Sequence, residues 1–518
     1  MPGSLPPALR CRHTLKWAGW FLVVFLGIHW QEVTSPTFNV DDWGTLGGPI
    51  RQLEQSRPSW DLIYGVLFQD SFSPFLGWCI AAASIFGIAA CLPLFQAQLM
   101  GGWIFFAALL IASHAYLLDL FNFSFVIGLY LLPGLLSIWG GVLIAYNPAS
   151  PLLGRSWRDA VLGVVMIAFA MGIYQPTGVL ALTLIGFDSI ARAFKTATVP
   201  PRQALRLLVG VLAAALLYYS IALLGMVGHH ANERTGFASP ARFLHKLTDP
   251  DVYREIYATD VSLLWRPAQI LLSSLFLLML VTLTLLLWRR HRVARERRRQ
   301  IGWLWFGAGW LTLSPLFLFY FLQAGFPSRS FCLGNVGIVG FLVIGMATLW
   351  TEPELWHGGR SFVRAAVGLL VVAYIFPQAV FAGKMWERTQ LLERRDMAMA
   401  QSIAADVRAR ASLDPQIPGD SFRLFGTTKR NQSFPQWSSV GESVFHQSWS
   451  IKDIFRQLLG LQVEHISFRR KRTEAAVRRS IPACKAWPAN GSIVAYRGRW
   501  LVCLEANPAE GSTPVVRR

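Results

Sequence analysis

The chain has 518 residues, 53% of them hydrophobic, and a mean hydropathy of +0.40. A soluble protein of this length would divide into domains that alternate apolar and polar segments. Here the apolar residues instead run in nearly uncharged blocks of roughly 18–23, the length that crosses a ~30 Å hydrocarbon core as helix. The formal net charge of +19 does not mark a nucleic-acid partner, because many of the basic residues sit in short loops between those blocks, where Lys and Arg fix cytoplasmic loops.

In chain order, the first block, Trp17–Trp30, follows Arg10, Arg12 and Lys16 and is followed by no small-x-small cleavage site. It reads as a retained first span with a cytoplasmic N-terminus. About eleven spans then fit, near 15–31, 77–97, 101–119, 124–146, 159–174, 177–194, 206–227, 267–288, 301–323, 332–350 and 364–383. Leu207–Gly228 and Ile270–Trp288 are the plainest of them, and Pro176 breaks the long apolar run that holds the fifth and sixth. The loops reached by even-numbered spans carry Arg155 and Arg158, then Lys195, Arg202 and Arg206, then Arg289 to Arg299, then Arg360 and Arg364. All agree with the positive-inside rule, and a miscount of one span would put half of them on the wrong side. Trp17, Trp30, Trp78, Trp288 and Trp350 stand at span ends as interfacial anchors.

The expected fold is therefore an all-α polytopic membrane bundle with a small C-terminal extracytoplasmic α+β domain. Residues 1–383 form the membrane domain, with a first outer loop at 31–76, and residues 384–518 form the outer domain. In that tail Thr389–Ser412 reads as helix, and Ser492–Tyr496 and Trp500–Leu504 as two strands joined by Arg497-Gly498-Arg499. Cys484 and Cys503 both fall in the tail, where an oxidising compartment would permit a disulfide. Cys11, Cys79, Cys91 and Cys332 lie in or beside spans, as small hydrophobes. No CxxC, no His/Cys metal spacing, no GxxxxGK and no GxSxG is present. No cofactor is expected, and a divalent metal is left open.

Polar groups in the outer loops carry the candidate chemistry. The first loop holds Phe38-Asn39-Val40-Asp41-Asp42-Trp43 and then Ser56-Arg57-Pro58. Adjacent carboxylates beside anionic headgroups have raised pKa values and suit a general base or a metal. Their bland reading is an N-cap for an interfacial helix starting at Trp43. Tyr174-Gln175-Pro176 forms the turn between the fifth and sixth spans, where a Tyr and a Gln can simply anchor and cap. Phe326-Pro327-Ser328-Arg329 places an arginine at an outer edge, against the charge bias, for phosphate or for snorkelling. His229, His230, His114 and Asp119 are weaker candidates. Arg469-Arg470-Lys471-Arg472 and Arg478-Arg479 give the tail a basic excess, which is either a solvated face or an attraction to anionic glycan or headgroups.

The order Asn39-x-Asp41-Asp42, Arg57-Pro58, Tyr174-Gln175 and Pro327-x-Arg329 resembles the bacterial serotype-converting, O-antigen-modifying glucosyltransferases. Asp396 to Ile403, Ile481-Pro482 and Trp487-Pro488-x-x-Gly491-Ser492-Ile493 resemble the same family's tail. The resemblance implies a GT-C type membrane glycosyltransferase in the bacterial inner membrane, with its active site and C-terminal domain on the periplasmic side. It implies a polyprenyl-phosphate sugar donor, typically glucose, and a cell-envelope glycan acceptor such as O-antigen. Carried over residue by residue, Asp41 or Asp42 is the catalytic base. Arg57 and Arg329 meet the donor phosphate, Tyr174 and Gln175 meet sugar or acceptor, and Asn39 belongs to the substrate-binding motif. Trp43 stands where the family pattern has an aliphatic residue, and Ser56 where it has Gly. The rival readings are a lipid-linked sugar transporter or flippase, which predicts internal repeats and midplane charges, and a polysaccharide polymerase.

Overall fold

A computed structural model describes residues 7–38, 43, 57–68, 73–99, 101–121, 127–146, 156–194, 202–225, 238–250, 265–290, 293–317, 320, 332–351, 360–428, 442–447, 450–466 and 478–507. The chain is mostly helical and divides into two compact units. The first comprises residues 1–35, 50–121 and 125–384, and the second residues 36–49, 122–124 and 385–518.

The first unit is built from helices whose sequences are apolar on most faces, as a lipid solvent demands. In chain order they are α1 (Pro7–Ile28), α2 (Trp30–Thr34), α3 (Pro58–Phe68), α4 (Pro74–Ala89), α5 (Gly101–Ala112), α6 (Ala115–Phe121), α7 (Ile127–Gly141) and α8 (Ser156–Ile173). There follow α9 (Gln175–Gly178), α10 (Thr183–Ala193), α11 (Arg202–Gly225), α12 (Pro240–Thr248), α13 (Trp265–Arg290), α14 (Ala294–Leu313), α15 (Cys332–Thr351) and the start of α16 (Arg360–Leu413). Among the described residues five helical stretches are long and apolar enough to cross a membrane: Pro74–Leu94, Gly128–Ala145, Arg202–Leu224, Ile270–Arg290 and Leu333–Thr351. His13–Ile28 and Gly101–Ala112 are shorter apolar helices.

Burial sorts these helices. The apolar window in Leu333–Thr351 is 83% buried, whereas those in Arg202–Leu224 and Ile270–Arg290 are 28% buried. The last two turn Leu208, Leu212, Leu277 and Leu285 outward, a surface that only hydrocarbon accommodates. Where hydrophobic driving force is absent, helices associate by close backbone approach at small residues. A Cβ on Gly163 of α8 would collide with the Gly140 carbonyl of α7. The expected break at Pro176 is seen: α8 stops at Ile173, Tyr174 is extended (φ −151, ψ 104), and the chain restarts as α9.

The second unit is a mixed four-stranded sheet with helices. Its strands are β1 (Ser421–Phe425), β2 (Gln462–Ile466), β3 (Ile493–Tyr496) and β4 (Arg499–Cys503), in the order β2-β1-β4-β3. β1 runs parallel to both β2 and β4, and α17 (Ile451–Leu459) lies between β1 and β2 in the chain. β3 and β4 form the expected hairpin. Positive φ at Arg497 (50) and Gly498 (71) gives that turn the twist a two-residue connection needs. Met385–Leu413 of α16 packs Ala400, Ile403, Ala404 and Val407 into a core with Phe422, Leu424, Phe455 and Val502. Trp43, some 340 residues earlier by number, belongs to that core and is 4% exposed. Cys484 and Cys503 are joined by a disulfide.

Candidate functional site

In the first unit, three of the outer-loop candidates converge. Pro58 occupies the first turn of α3, where its missing N–H is no loss, and it sets Arg57 at the helix entry. The N-terminal end of α3 lies against the C-terminal end of α8, so closely that a Cβ on Gly172 would strike the Ser59 hydroxyl. That contact brings Arg57 to Tyr174. The guanidinium carbon stands 5.4 Å from the Tyr174 ring centre and 5.6 Å from that of Trp60, within cation–π range.

An aromatic wall holds this arrangement. The Tyr130 ring meets Tyr174 edge-on at 4.7 Å and Trp60 at 5.9 Å, and all three residues are buried. The Tyr174 carbonyl accepts from the Thr177 hydroxyl at 2.8 Å and from the Thr177 amide at 3.2 Å, which fixes the turn. Next in the chain, Gln175 Nε2 donates to the Tyr218 hydroxyl of α11 at 2.9 Å, and Tyr218 lies within electrostatic reach of Arg57. Arginine, phenols and an amide on one aromatic floor can bind an anion beside a hydroxyl-rich group.

Sequence reasoning found Arg57, Tyr174 and Gln175 but passed over Trp60, Tyr130 and Tyr218. The available signal for Tyr218 was the Tyr218-Tyr219-Ser220 interruption within the largely aliphatic run Leu207–Leu224. Asn39, Asp41, Asp42 and Arg329, with His229 and His230, lie outside the described residues, as does the side chain of Asp119. His114 is buried at the break between α5 and α6. Among the described residues no group of three or more His, Cys, Asp and Glu side chains is placed to hold a metal.

The second unit has its own polar locus on α16. The Phe38 amide donates to Glu393 Oε1 at 3.4 Å, and the Phe38 ring stands 5.4 Å from that of Trp43. Asp396, one turn on and 4% exposed, accepts from the Ser443 hydroxyl and the Val444 amide, both at 2.8 Å. Burial pushes the Glu393 carboxyl up to about 7 and that of Asp396 up to about 6. The two residues that bracket Asn39–Asp42 in the sequence, Phe38 and Trp43, are thus both tied to this unit. On the sheet, Glu464 bridges Arg423 and Arg499 at 2.9 Å each, and the hydrogen bond from Arg423 holds its carboxyl below the usual range.

Apolar helices with outward-facing leucines and a polar aromatic site define a membrane protein. The chain belongs to the family described as Glucosyl transferase GtrII, whose model matches residues 32–346, more than half of the sequence. This is a serotype-converting glucosyltransferase family, and the chain is a membrane glycosyltransferase. The matched stretch takes in Asn39, Asp41, Asp42, Arg57, Tyr174, Gln175 and Arg329. No curated protein and no solved structure matches the chain.

Proposed function

We propose that the protein moves glucose from a polyprenyl-phosphate donor to a cell-surface glycan such as O-antigen, on the outer side of the bacterial inner membrane. The observation that carries this reading is the meeting of Arg57, Tyr174, Gln175 and Tyr218 within a glucosyltransferase-family chain. A guanidinium on an aromatic floor is suited to a phosphate whose leaving oxygen gains charge, and the adjacent phenols and amide are suited to sugar hydroxyls.

In the proposed reaction Asp41 or Asp42 takes the proton of an acceptor hydroxyl. That oxygen bonds to the anomeric carbon as the bond from carbon to phosphate oxygen breaks, in a single inverting displacement. The polyprenyl phosphate leaves as an anion, met by Arg57 and Arg329, and Asn39 contributes to the substrate site. A lipid-phosphate donor needs no nucleotide-binding motif. Eleven spans with an inside N-terminus place these loops and the C-terminal domain in the periplasm, a topology favoured by the basic loops and by the Cys484–Cys503 disulfide.

The donor is tested in washed membranes containing the protein and isolated envelope glycan. Label supplied as polyprenyl-phosphate glucose is expected to reach the glycan, while label supplied as a nucleotide sugar is not. Transfer from the nucleotide sugar alone, with no lipid-linked sugar accepted, overturns the donor assignment.

A further inference from the structure

A second polar cluster lies inside the first unit, on elements that hold none of the residues assigned above. The Leu110 carbonyl, near the end of α5, accepts from Asn335 Nδ2 of α15 at 3.0 Å and from the Ser113 hydroxyl at 3.2 Å. Ser113 in turn stands beside the Tyr374 hydroxyl of α16. Gln378 follows Tyr374 by four residues, hence on the same face of α16. Asn335, Tyr374 and Gln378 are 1%, 2% and 4% exposed.

What singles the cluster out is unmet hydrogen-bonding capacity. Asn335 Oδ1, Tyr374 Oη and both amide atoms of Gln378 are buried and have no hydrogen-bond partner of good geometry. Each such group is costly when left unsatisfied, so native proteins rarely keep several together without a use. The backbone is irregular at the same place. Pro377 lies inside α16, so the carbonyl of Ala373 has no i+4 amide to accept. The helix is also interrupted at Ser113 and His114, between α5 and α6. Broken helices and buried polar groups at membrane depth persist where protein buries them or where a cavity or a ligand meets them, and buried ionisable or polar groups there are commonly functional.

The geometry points to Asn335, Tyr374 and Gln378, with Ser113, as a binding site for an uncharged, hydroxyl-rich group, the hexosyl unit of the substrate. This inference rests on the glucosyltransferase reading and deepens it. None of the four side chains carries a charge, so the cluster suits sugar hydroxyls rather than the phosphate. Two amides and two hydroxyls supply both donors and acceptors, which a polyol needs. On the proposed topology Ser113, Asn335, Tyr374 and Gln378 all fall in the outer halves of their spans, at the depth of a lipid-linked sugar entering from the outer face.

The test compares the full-length protein in lipid nanodiscs with Gln378→Leu, Tyr374→Phe and Phe376→Leu, the last a control at an outward-facing position on the same helix. Apparent KM for polyprenyl-phosphate glucose and thermal stability are read together. Gln378→Leu is expected to raise KM about tenfold, the loss of one or two hydrogen bonds to substrate, and Tyr374→Phe to raise it several-fold. Gln378→Leu should match or exceed wild-type stability, because its amide makes no bond within the protein, Tyr374→Phe should give up no more than its contact with Ser113, and Phe376→Leu should change nothing. Unchanged KM in both variants means that the groups serve no ligand and overturns the site. Lower stability with activity falling in proportion means that they are structural, and overturns it as well. Transfer by wild type alongside unshifted variants defeats only this site, whereas a wild type that transfers from no lipid-linked sugar defeats the glucosyltransferase reading and this inference with it.

Discussion

Neutralising Glu393 and Asp396 by substitution should remove most of the pH dependence of the C-terminal unit's stability, and its size follows from their burial. Glu393 rises from an ordinary 4.5 to about 7, and Asp396 from 3.8 to about 6. Both folded values lie above the unfolded ones, so the contribution is complete below pH ~4 and is lost as pH rises through 6 and 7. At about 1.4 kcal/mol per pH unit, the range from pH 5 to 8 is worth ~3 kcal/mol in all, after discounting the partly exposed Glu393 for screening. That is roughly a hundredfold in the opening equilibrium. The assay is amide hydrogen exchange of β1 and β4 in the full-length protein, corrected at each pH for intrinsic rate. Wild type should open more readily at pH 8 than at pH 5. Glu393→Gln, which keeps an acceptor for the Phe38 amide, should lose more than half of that slope, and the double variant with Asp396→Asn nearly all of it. A wild-type opening equilibrium that does not vary with pH would mean that neither carboxyl is raised by its burial.

Arg57 makes a sharper case than a simple charge. Arg57→Lys keeps the charge but loses the planar group that lies over Trp60 and Tyr174, so transfer should fall about tenfold, and Arg57→Ala should lose more. Equal activity in Arg57→Lys and wild type counts against the aromatic floor as a phosphate seat. Trp43→Ala removes a core side chain of the second unit and should cost ~3–5 kcal/mol in the exchange of β1, with Trp43→Phe much milder. Opening Cys484–Cys503, which closes a 19-residue separation, by Cys484→Ser should cost ~3 kcal/mol in the same unit, and wild type under reductant should reproduce it.

Much of the helical architecture was legible because lipid imposes so strict a solvent condition. Blocks such as Ile270–Trp288 have no other use, and they are helical as read. The β3–β4 hairpin announced itself through alternation around Arg497-Gly498. β1 and β2 did not. Ser421–Phe425 buries Phe422, Leu424 and Phe425 between two parallel neighbours, which blurs alternation, and Gln462–Ile466 is a polar edge strand. Nor did the sequence show α16 as one helix, since the expected span and the tail helix are continuous through Pro377.

The site divides the same way. Arg57, Tyr174 and Gln175 stood out as polar residues at breaks in apolar sequence, and they come together. Trp43 read as an interfacial helix start, because nothing in its neighbourhood hints at a core partner near residue 400. Tyr374 and Gln378 were hidden inside an apolar run, where one Tyr and one Gln look incidental until both prove buried and unsatisfied.

The most direct measurement follows label from polyprenyl-phosphate glucose into isolated envelope glycan, comparing wild type with Asp41→Asn and Asp42→Asn in the same membranes. Wild type should transfer and one of the two variants should not, which names the base. Full transfer by both variants would contradict the assignment of the base to this carboxylate pair, and no transfer by wild type from any lipid-phosphate sugar would contradict the account as a whole.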